Sequence, residues 1–429
     1  MFDIQLIRDN YDLVQKNLKR RRDDAVIKKL HSVKVKDDEW RKLKSEVDVL
    51  RQRRNQLSAE INSLKKEGKP VTKILAEAKH IPDKIKNAEE KLVQLEKEVR
   101  EGLMRLPNLL DEEVPYGVDS EDNAEVRKWG TPKKFDFELK PHGELMEFLG
   151  IGDFERSAKV AGAGFYYLKG GLAMLNMALV KFAIDFMVKK GYLYTEPPLM
   201  LKRVAYEGVT DLADFENVMY KIEGEDLYLI ATSEHPLVSQ FMNEVIEEEK
   251  LPIKLAGYSM CFRREIGSRG VDTKGLFRTH QFNKVEQIIF CTPEQSKQLH
   301  EEITKNAEEI YKLLEIPYRI VNICTGDIGI VAAKKYDLEA WFPRQNKYGE
   351  VGSSSNCTDY QARRLNVKCV DRKGERRILH TLNNTAIATS RCMVAILENY
   401  QNKDSTVTVP KALIPYMNGM KKIEAVKKV

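Results

Sequence analysis

The sequence predicts an α+β protein in two parts: a two-helix antiparallel coiled-coil arm, then a domain built on a largely antiparallel sheet. Three observations point there. Before residue 106, apolar residues recur at 4-3 spacing on either side of a Gly/Pro turn. Beyond residue 135 come strand-like runs, YSMCFRRE, FNKVEQIIFC and YRIVNIC, set among the helical stretches EQSKQLHEEITKNAEEIYKLL and TSRCMVAILENYQN. Between the two lies PNLLDEEVPYGVDSEDNAEVRKWGTP, rich in Pro, Gly and acidic residues and without helical period, which reads as a linker. The expected division is an arm domain over 1–106, a linker over 107–134 and a sheet domain over 135–429.

In the arm, Leu43, Val47, Leu50, Leu57, Ile61 and Leu64 follow the heptad spacing, broken only at Arg54. After KKEGKP, with Gly68 and Pro70 for the turn, Ile81, Ile85, Ala88, Leu92, Leu95, Val99, Leu103 and Leu106 repeat it. The first helix, counted from Trp40 to Lys66, would span roughly 40 Å. Residues 1–106 hold 27 Lys+Arg and 19 Asp+Glu, a net of +8 against +6 for all 429 residues. The basic excess therefore lies entirely in the arm, as a local polyanion-binding element requires. Arg51, Arg53, Arg54, Lys65, Lys66, Lys69 and Lys73 gather toward its tip, placed either to meet nucleic-acid phosphates or to be solvated on a spacer or dimerisation coil.

The remainder of the chain narrows the class. Asp3 and Asp9 stand where a signal peptide needs a basic start and an apolar run, and the six cysteines are scattered without a C-x-x-C pair. A cytoplasmic protein with no membrane association is expected. Residues 172–191, LAMLNMALVKFAIDFMVKKG, are apolar nearly all round and end at Gly191, as a buried or interface helix would. There is no G-x-x-x-x-G-K-[ST], and AGAG at 161–164 is too short for a dinucleotide fingerprint.

The chemistry concentrates in FRREIGSRGVDTKGLFRTHQF, residues 262–282. Alternate residues of a strand share a face, so Cys261, Arg263 and Glu265 point one way on the incoming strand, and Phe282, Lys284 and Glu286 share a face on the outgoing one. Paired, the strands collect guanidinium, ring and carboxylates on one face, with Arg269, Lys274 and Arg278 in the connection. That set suits a nucleotide: cations for phosphates, a ring for the base and a carboxylate for its amino group. A solvated hairpin with mutually paired charges is the competing reading; a charged face inside a domain that must bury its sheet weighs against it.

At these residues the chain resembles class II aminoacyl-tRNA synthetases, and within them the seryl-tRNA synthetase family. FRREIGSRGVDTKGLFRTHQFNKVEQ is similar to the family's motif 2. FDIQLIRDNYDLVQKNL, the heptad arm, PHGEL, DFERSAKVAGAGFYYLKG, YTEPPLM, ATSEHPL, EVGSSSNCTDYQARRLN and LNNTAIATSRCMVAILENYQ resemble its successive blocks in order. FRTHQF, SSSNCTDYQ and TAIATSR resemble the archaeal and eukaryotic-type members. The heptad arm and the lack of a cysteine pair set aside the zinc-dependent form found in some methanogens.

The resemblance implies ATP and Mg²⁺ as cofactors, L-serine and tRNA(Ser) as partners, and a homodimer formed through motif 1, matched by residues 171–198. It implies Arg263 on the α-phosphate, Glu265 on the adenine amino group, Phe282 stacked on the ring, and Arg278 and Arg391 on the distal phosphates, with Arg263 and Arg391 catalytic. Glu350 and Ser353 match the metal ligands, hard oxygen donors of the kind Mg²⁺ prefers. Serine selection would fall to Thr232, Glu234, Glu286, Asn383 and Thr385, since a hydroxyl is discriminated only by a site built to hydrogen-bond it. Here NNT replaces the NGS of many bacterial members, so Asn384 stands in place of a glycine. The arm would contact the long variable arm of tRNA(Ser), and the chain, ending soon after motif 3, has no room for an anticodon-binding domain. Whether tRNA(Sec) is also charged with serine stays open. Two other functions compete with this one: a carrier-protein ligase, which would lack the arm, and a non-catalytic paralogue, which would have lost Arg263, Glu286, Glu350 or Arg391.

Overall fold

The structure is a computed structural model that describes residues 1–211, 216–265 and 275–426. Arg269 and Lys274 lie outside the described residues. The chain divides into two compact units, Met1–Leu109 and Leu110–Val429.

The first unit is helical throughout: α1 (Ile4–Asp9), α2 (Tyr11–Lys19), α3 (Asp24–Lys66) and α4 (Thr72–Met104). Helix α3 begins at Asp24 rather than Trp40, because Asp23 caps it by accepting from the Ala25 N–H. Its 43 residues span about 65 Å. The added turns bury Val26, Leu30 and Val33 against α1, α2 and the far end of α4, in a cluster with Ile7, Val14, Leu18, Val99, Leu103 and Leu106. Farther along, Val47, Leu57, Ile81 and Ile85 form a separate seam between α3 and α4. Pro82 sits inside α4 without ending it.

The second unit is organised on one eight-stranded sheet. In chain order its strands are β1 (Ala124–Trp129), β2 (Leu193–Thr195), β3 (Ile253–Phe262), β4 (Gln281–Cys291), β5 (Tyr318–Asn322), β6 (Lys334–Phe342), β7 (Lys347–Asn356) and β8 (His380–Ala388). Their order across the sheet is β1-β5-β6-β7-β8-β4-β3-β2. All neighbours are antiparallel except β2 and β3.

Within residues 107–134, expected as a linker, the stretch from Leu110 onward belongs to this unit. Ala124–Trp129 pairs with β5 as the edge strand, and Leu110 and Val114 pack with Val321, Ile323 and Ile328. The strand was hidden in the sequence because an edge strand with both faces mostly exposed carries no apolar alternation.

Helices α6 (Gly170–Lys189), α7 (Ser296–Leu313) and α8 (Thr389–Asn399) share the main apolar core with the sheet, and α5 (His142–Phe148) joins it at its edge. Among the described residues α6 alone has the length and apolarity of a membrane span. In the fold its Leu172, Leu175, Leu179, Ala183 and Met187 are buried in that core.

The strand at the centre of the chemistry, β4, is covered on both sides. Its odd positions face α7: Gln287 donates to the Ile303 carbonyl, and Asn306 donates back to Gln287. Its even positions, Phe282, Lys284 and Glu286, face the opposite way. Farther along that face, Ile288 and Phe290 enter a second apolar cluster with Tyr206, Tyr228, Leu237 and Leu365.

Candidate active site

Strands β3 and β4 pair as the alternation predicts, with Cys261 opposite Phe282, Ser259 opposite Lys284 and Gly257 opposite Glu286. The chain leaves β3 at Phe262, and Glu265 turns it with φ of 45°, a left-handed conformation that is costly for a residue with a Cβ. Arg263, Glu265, Phe277, Arg278, Phe282 and Lys284 form one wall of a cleft holding about 820 Å³ of empty space. The opposite wall comes from β7, β8 and the start of α8, with Glu350, Ser353, Thr385 and Arg391.

Two bulges aim these side chains. Glu350 and Ser353 are three apart, so in a regular strand they would face opposite ways. An extra residue at Val351 breaks the register between Leu338/Gly352 and Glu339/Glu350, which turns both toward the cleft while Val351 itself enters the core. On β8 the register breaks again between Thr385 and Ile387, so that Asn383 and Thr385 face the site and, past the bulge, so does Ala388. Gly352 permits the close approach of β7 to β8: a Cβ there would lie 3.2 Å from that of Thr385.

At the nucleotide end, the Arg263 guanidinium lies 5.2 Å from the centre of the Phe282 ring. Its Nε–H donates to the Ala231 carbonyl, which orients the fork. Arg391 sits 5.2 Å from the centre of the Phe277 ring and 3.1 Å from the Glu350 carboxylate. Arg278, half exposed, is 3.9 Å from Glu265. Burial works against ionisation of Glu350 at the foot of the cleft, yet Arg391, Lys335 and Arg263 outweigh it and bring its carboxyl down to about 2. Its carboxylate and the Ser353 hydroxyl line the same cleft, hard oxygen donors of the kind that hold Mg²⁺ together with phosphate oxygens.

At the closed end the charges are buried. Glu286 is 2% exposed and lies 2.5 Å from the Lys284 ammonium, itself 7% exposed. The Thr385 hydroxyl donates to Glu286 at 3.2 Å. Glu234 accepts from Gln361 at 2.8 Å and from Asn383 at 3.1 Å, and the Thr232 hydroxyl accepts from the Glu234 N–H. Burial and then the Glu286 charge push the Glu234 carboxyl up to about 7, against the pull of Lys284 and Gln361.

Of the twelve residues expected at the nucleotide and serine ends, Arg263, Glu265, Arg278, Phe282, Glu350, Ser353, Thr385 and Arg391 line the cleft, while Glu286 lies behind it against Lys284 and Thr385, and Thr232 and Asn383 gather around Glu234. The structure adds four that the sequence reading did not assign: Lys284, Lys335, Phe277 and Gln361. Lys284 was legible in FNKVEQ, two positions from Glu286 on the same face. The other three approach from a neighbouring strand, the far side of the hairpin and a short helix, and no local pattern announces them. Asn384, the departure from NGS, points away from the site and donates to the Ile303 carbonyl at 2.6 Å.

On the arm, Arg51 pairs with Glu89 at 2.8 Å and Arg53 with Glu77 at 2.7 Å, tying α3 to α4. Lys69 pairs with Glu67, and Arg54 donates to Asn55. Lys65, Lys66 and Lys73 make no ion pair among the described residues.

Comparisons with known proteins agree along the chain. Residues 1–110 match the seryl-tRNA synthetase N-terminal domain, and residues 218–400 the class II tRNA synthetase core domain of the G, H, P, S and T type. A serine–tRNA ligase of Methanocella arvoryzae is 55% identical over 422 residues, covering 98% of this chain and 99% of that one. The seryl-tRNA synthetase of Pyrococcus horikoshii, solved with ATP, superposes with a TM-score of 0.96 at 46% identity over the full length of both chains. A cytoplasmic serine–tRNA ligase of Naegleria fowleri, solved with AMP, gives 0.91 at 35% identity, covering 100% of this chain and 99% of its own. The chain belongs to the seryl-tRNA synthetase family, with that family's N-terminal domain followed by a class II core.

Proposed function

We propose that this protein is a serine–tRNA ligase that activates L-serine with ATP and transfers the seryl group to the 3′ end of tRNA(Ser). The observation that carries the reading is the set of buried Lys284, Glu286 and Thr385, with partly buried Glu234 beside them, at the closed end of a cationic cleft. Ionisable groups so deep are costly unless a bound partner uses them.

Glu286, with the Thr232 and Glu234 segment beside it, receives the serine ammonium; Thr385 and Asn383 read the hydroxyl. Lys284 stands on Glu286 where that ammonium would sit, so it keeps the carboxylate paired before substrate arrives. Phe282 and Glu265 take the adenine, and Arg278 and Arg391 the distal phosphates. Glu350 and Ser353 would hold Mg²⁺, which when bound neutralises phosphate charge.

Serine's carboxylate is already a nucleophile at neutral pH and needs no base. Its oxygen attacks the α-phosphorus, the bond to the bridging oxygen breaks, and pyrophosphate leaves. Arg263 clamps the α-phosphate through this charge build-up, so positioning and electrostatics carry the step. The terminal adenosine of the tRNA then attacks the seryl carbonyl, and AMP departs.

The arm is the tRNA contact in this reading, through shape and phosphates rather than bases. The homodimer would form around α6, where the apolar Met177 and Val188 remain 54% and 49% exposed on a helix whose other face lies in the core. A cytoplasmic location accords with six free cysteines, all buried.

The test is ATP–pyrophosphate exchange without tRNA, comparing serine with threonine, glycine and alanine. Exchange with serine alone is expected. No exchange with any of the four from folded protein, with magnesium present, overturns the reading.

A further inference from the structure

We infer that His142, which lies outside the cleft, is a positioning residue for the nucleotide: it clasps the returning limb of the hairpin and so fixes Phe277 and Arg278. The inference rests on the ATP-binding reading above.

His142 opens α5 directly after Pro141 and is 1% exposed. Its Nε2 accepts the Leu276 N–H at 3.2 Å. Leu276 is fully buried and immediately precedes the two residues that line the cleft. Gly275 is matched to this contact, since a Cβ there would lie 2.0 Å from Nε2, and its φ of 139° is one that L residues rarely adopt.

An imidazole nitrogen that accepts from an N–H carries no proton, so the proton of neutral His142 belongs on Nδ1. Nδ1 faces the Glu398 carboxylate at 3.9 Å, and Glu398 is 0% exposed. Neither Nδ1 nor that carboxylate oxygen, Oε1, has a hydrogen-bond partner among the described residues. The other oxygen of Glu398 accepts from the Arg344 N–H at 3.3 Å, and the Arg344 guanidinium lies 3.6 Å from Oε1. Glu398 belongs to α8, the helix that begins beside Arg391.

The clasp therefore has two ends. Through Leu276 it holds Phe277, whose ring lies under Arg391 and packs edge-on against Phe342 at 5.5 Å between centres. Through Glu398 it is referred to the helix that supplies Arg391. One buried histidine that touches no substrate thus holds the Phe277 wall by a hydrogen bond and lies against the helix that carries Arg391 on the other. Loss of the acceptor would strand the Leu276 N–H in the core, a defect that local rearrangement of the limb can relieve.

The experiment compares wild type, His142→Leu and His142→Gln, the last because an amide carbonyl can reach the place of Nε2. Exchange kinetics are measured with ATP and serine varied separately, alongside amide hydrogen exchange resolved to the Leu276 peptide. His142→Leu is expected to raise the KM for ATP by about tenfold, with the KM for serine within twofold and protection lost at Leu276 but not in β4 or β8. His142→Gln is expected to recover most of both. An unchanged KM for ATP in His142→Leu, or an equal loss toward both substrates without rescue by Gln, overturns the inference. Should wild type show no exchange at all, the ligase reading fails instead, while protection at Leu276 in the three proteins still decides whether the clasp exists.

Discussion

The two units use charge in opposite ways. On the arm, Arg51, Arg53, Glu77 and Glu89 are each about half exposed, and their pairs tie two helices together in water. In the cleft, Lys284 and Glu286 pair almost wholly out of solvent, with Glu234 close behind. An exposed pair costs little to form and contributes little, whereas a buried one carries a desolvation penalty that can exceed its Coulombic gain. Dense charge on the arm is therefore weak evidence for a site. The sparse charge in the sheet is strong evidence, because folding alone would favour apolar residues there.

The largest effect should come from Arg263, the group nearest the developing charge. Arg263→Lys keeps a cation but loses the planar fork, and serine-dependent exchange is expected to fall by about 10²–10³-fold with the thermal midpoint nearly unchanged. Glu234→Gln tests the cost of the buried site directly. Because the folded carboxyl is raised from 4.5 to about 7, it holds its proton where the unfolded chain has lost it. Stability from this group is complete below pH 4.5 and declines as pH rises to about 7. The glutamine variant should thus match wild type near pH 4.5 and exceed it at pH 8, by at most about 3 kcal/mol in urea unfolding. Serine-dependent exchange should fall steeply at the same time. A variant less stable than wild type at pH 8 would mean that Glu234 is a structural acid.

Why the site could be read from the sequence and parts of the fold could not has a physical basis. Phe282 and Glu286 sit on β4, and Arg263 directly follows β3 with its N–H still donating to the His280 carbonyl, so alternation decides the face. Glu350 and Ser353 break alternation; only the resemblance to a family assigned them, and the bulge at Val351 supplies the reason. Edge strand β1 has no apolar side to signal it. The first sixteen residues of α3 are not legible as coiled coil because Val26, Leu30 and Val33 are shared between the end of α4 and helices α1 and α2. His142 lies in the PHGEL block, yet nothing local shows its role, since its partner is a backbone amide more than a hundred residues away.

A smaller effect separates two neighbours on β8. Thr385 faces the site and donates to Glu286, while Asn384 faces α7 and donates to Ile303. Thr385→Val should weaken serine-dependent exchange by about tenfold or more. Asn384→Gly, which restores the bacterial-type glycine, should leave the KM for serine within twofold and lower stability by about 1–2 kcal/mol. A shift in serine KM from Asn384→Gly would show that the back of the strand tunes the pocket after all.

The smallest effects belong to the arm, where they separate charges that tie helices together from charges held open for a partner. Arg53 is engaged by Glu77 through two hydrogen bonds of 2.7 and 2.8 Å, so Arg53→Ala removes an exposed pair and should move the unfolding midpoint by no more than about 2 °C. Its effect on tRNA affinity should also be slight, because a guanidinium already paired must leave Glu77 to meet a phosphate. Lys65, Lys66 and Lys73, near the turn, have no such ion-pair partner among the described residues to give up. Replacing all three with alanine should leave serine exchange and the midpoint unaltered, yet weaken tRNA(Ser) binding and make its dependence on log salt shallower by about 2. If Arg53→Ala flattened the salt dependence as much as the triple variant, the interhelical pairs would themselves be the phosphate contacts. The distinction between structural and recognition charges on the arm would then fail.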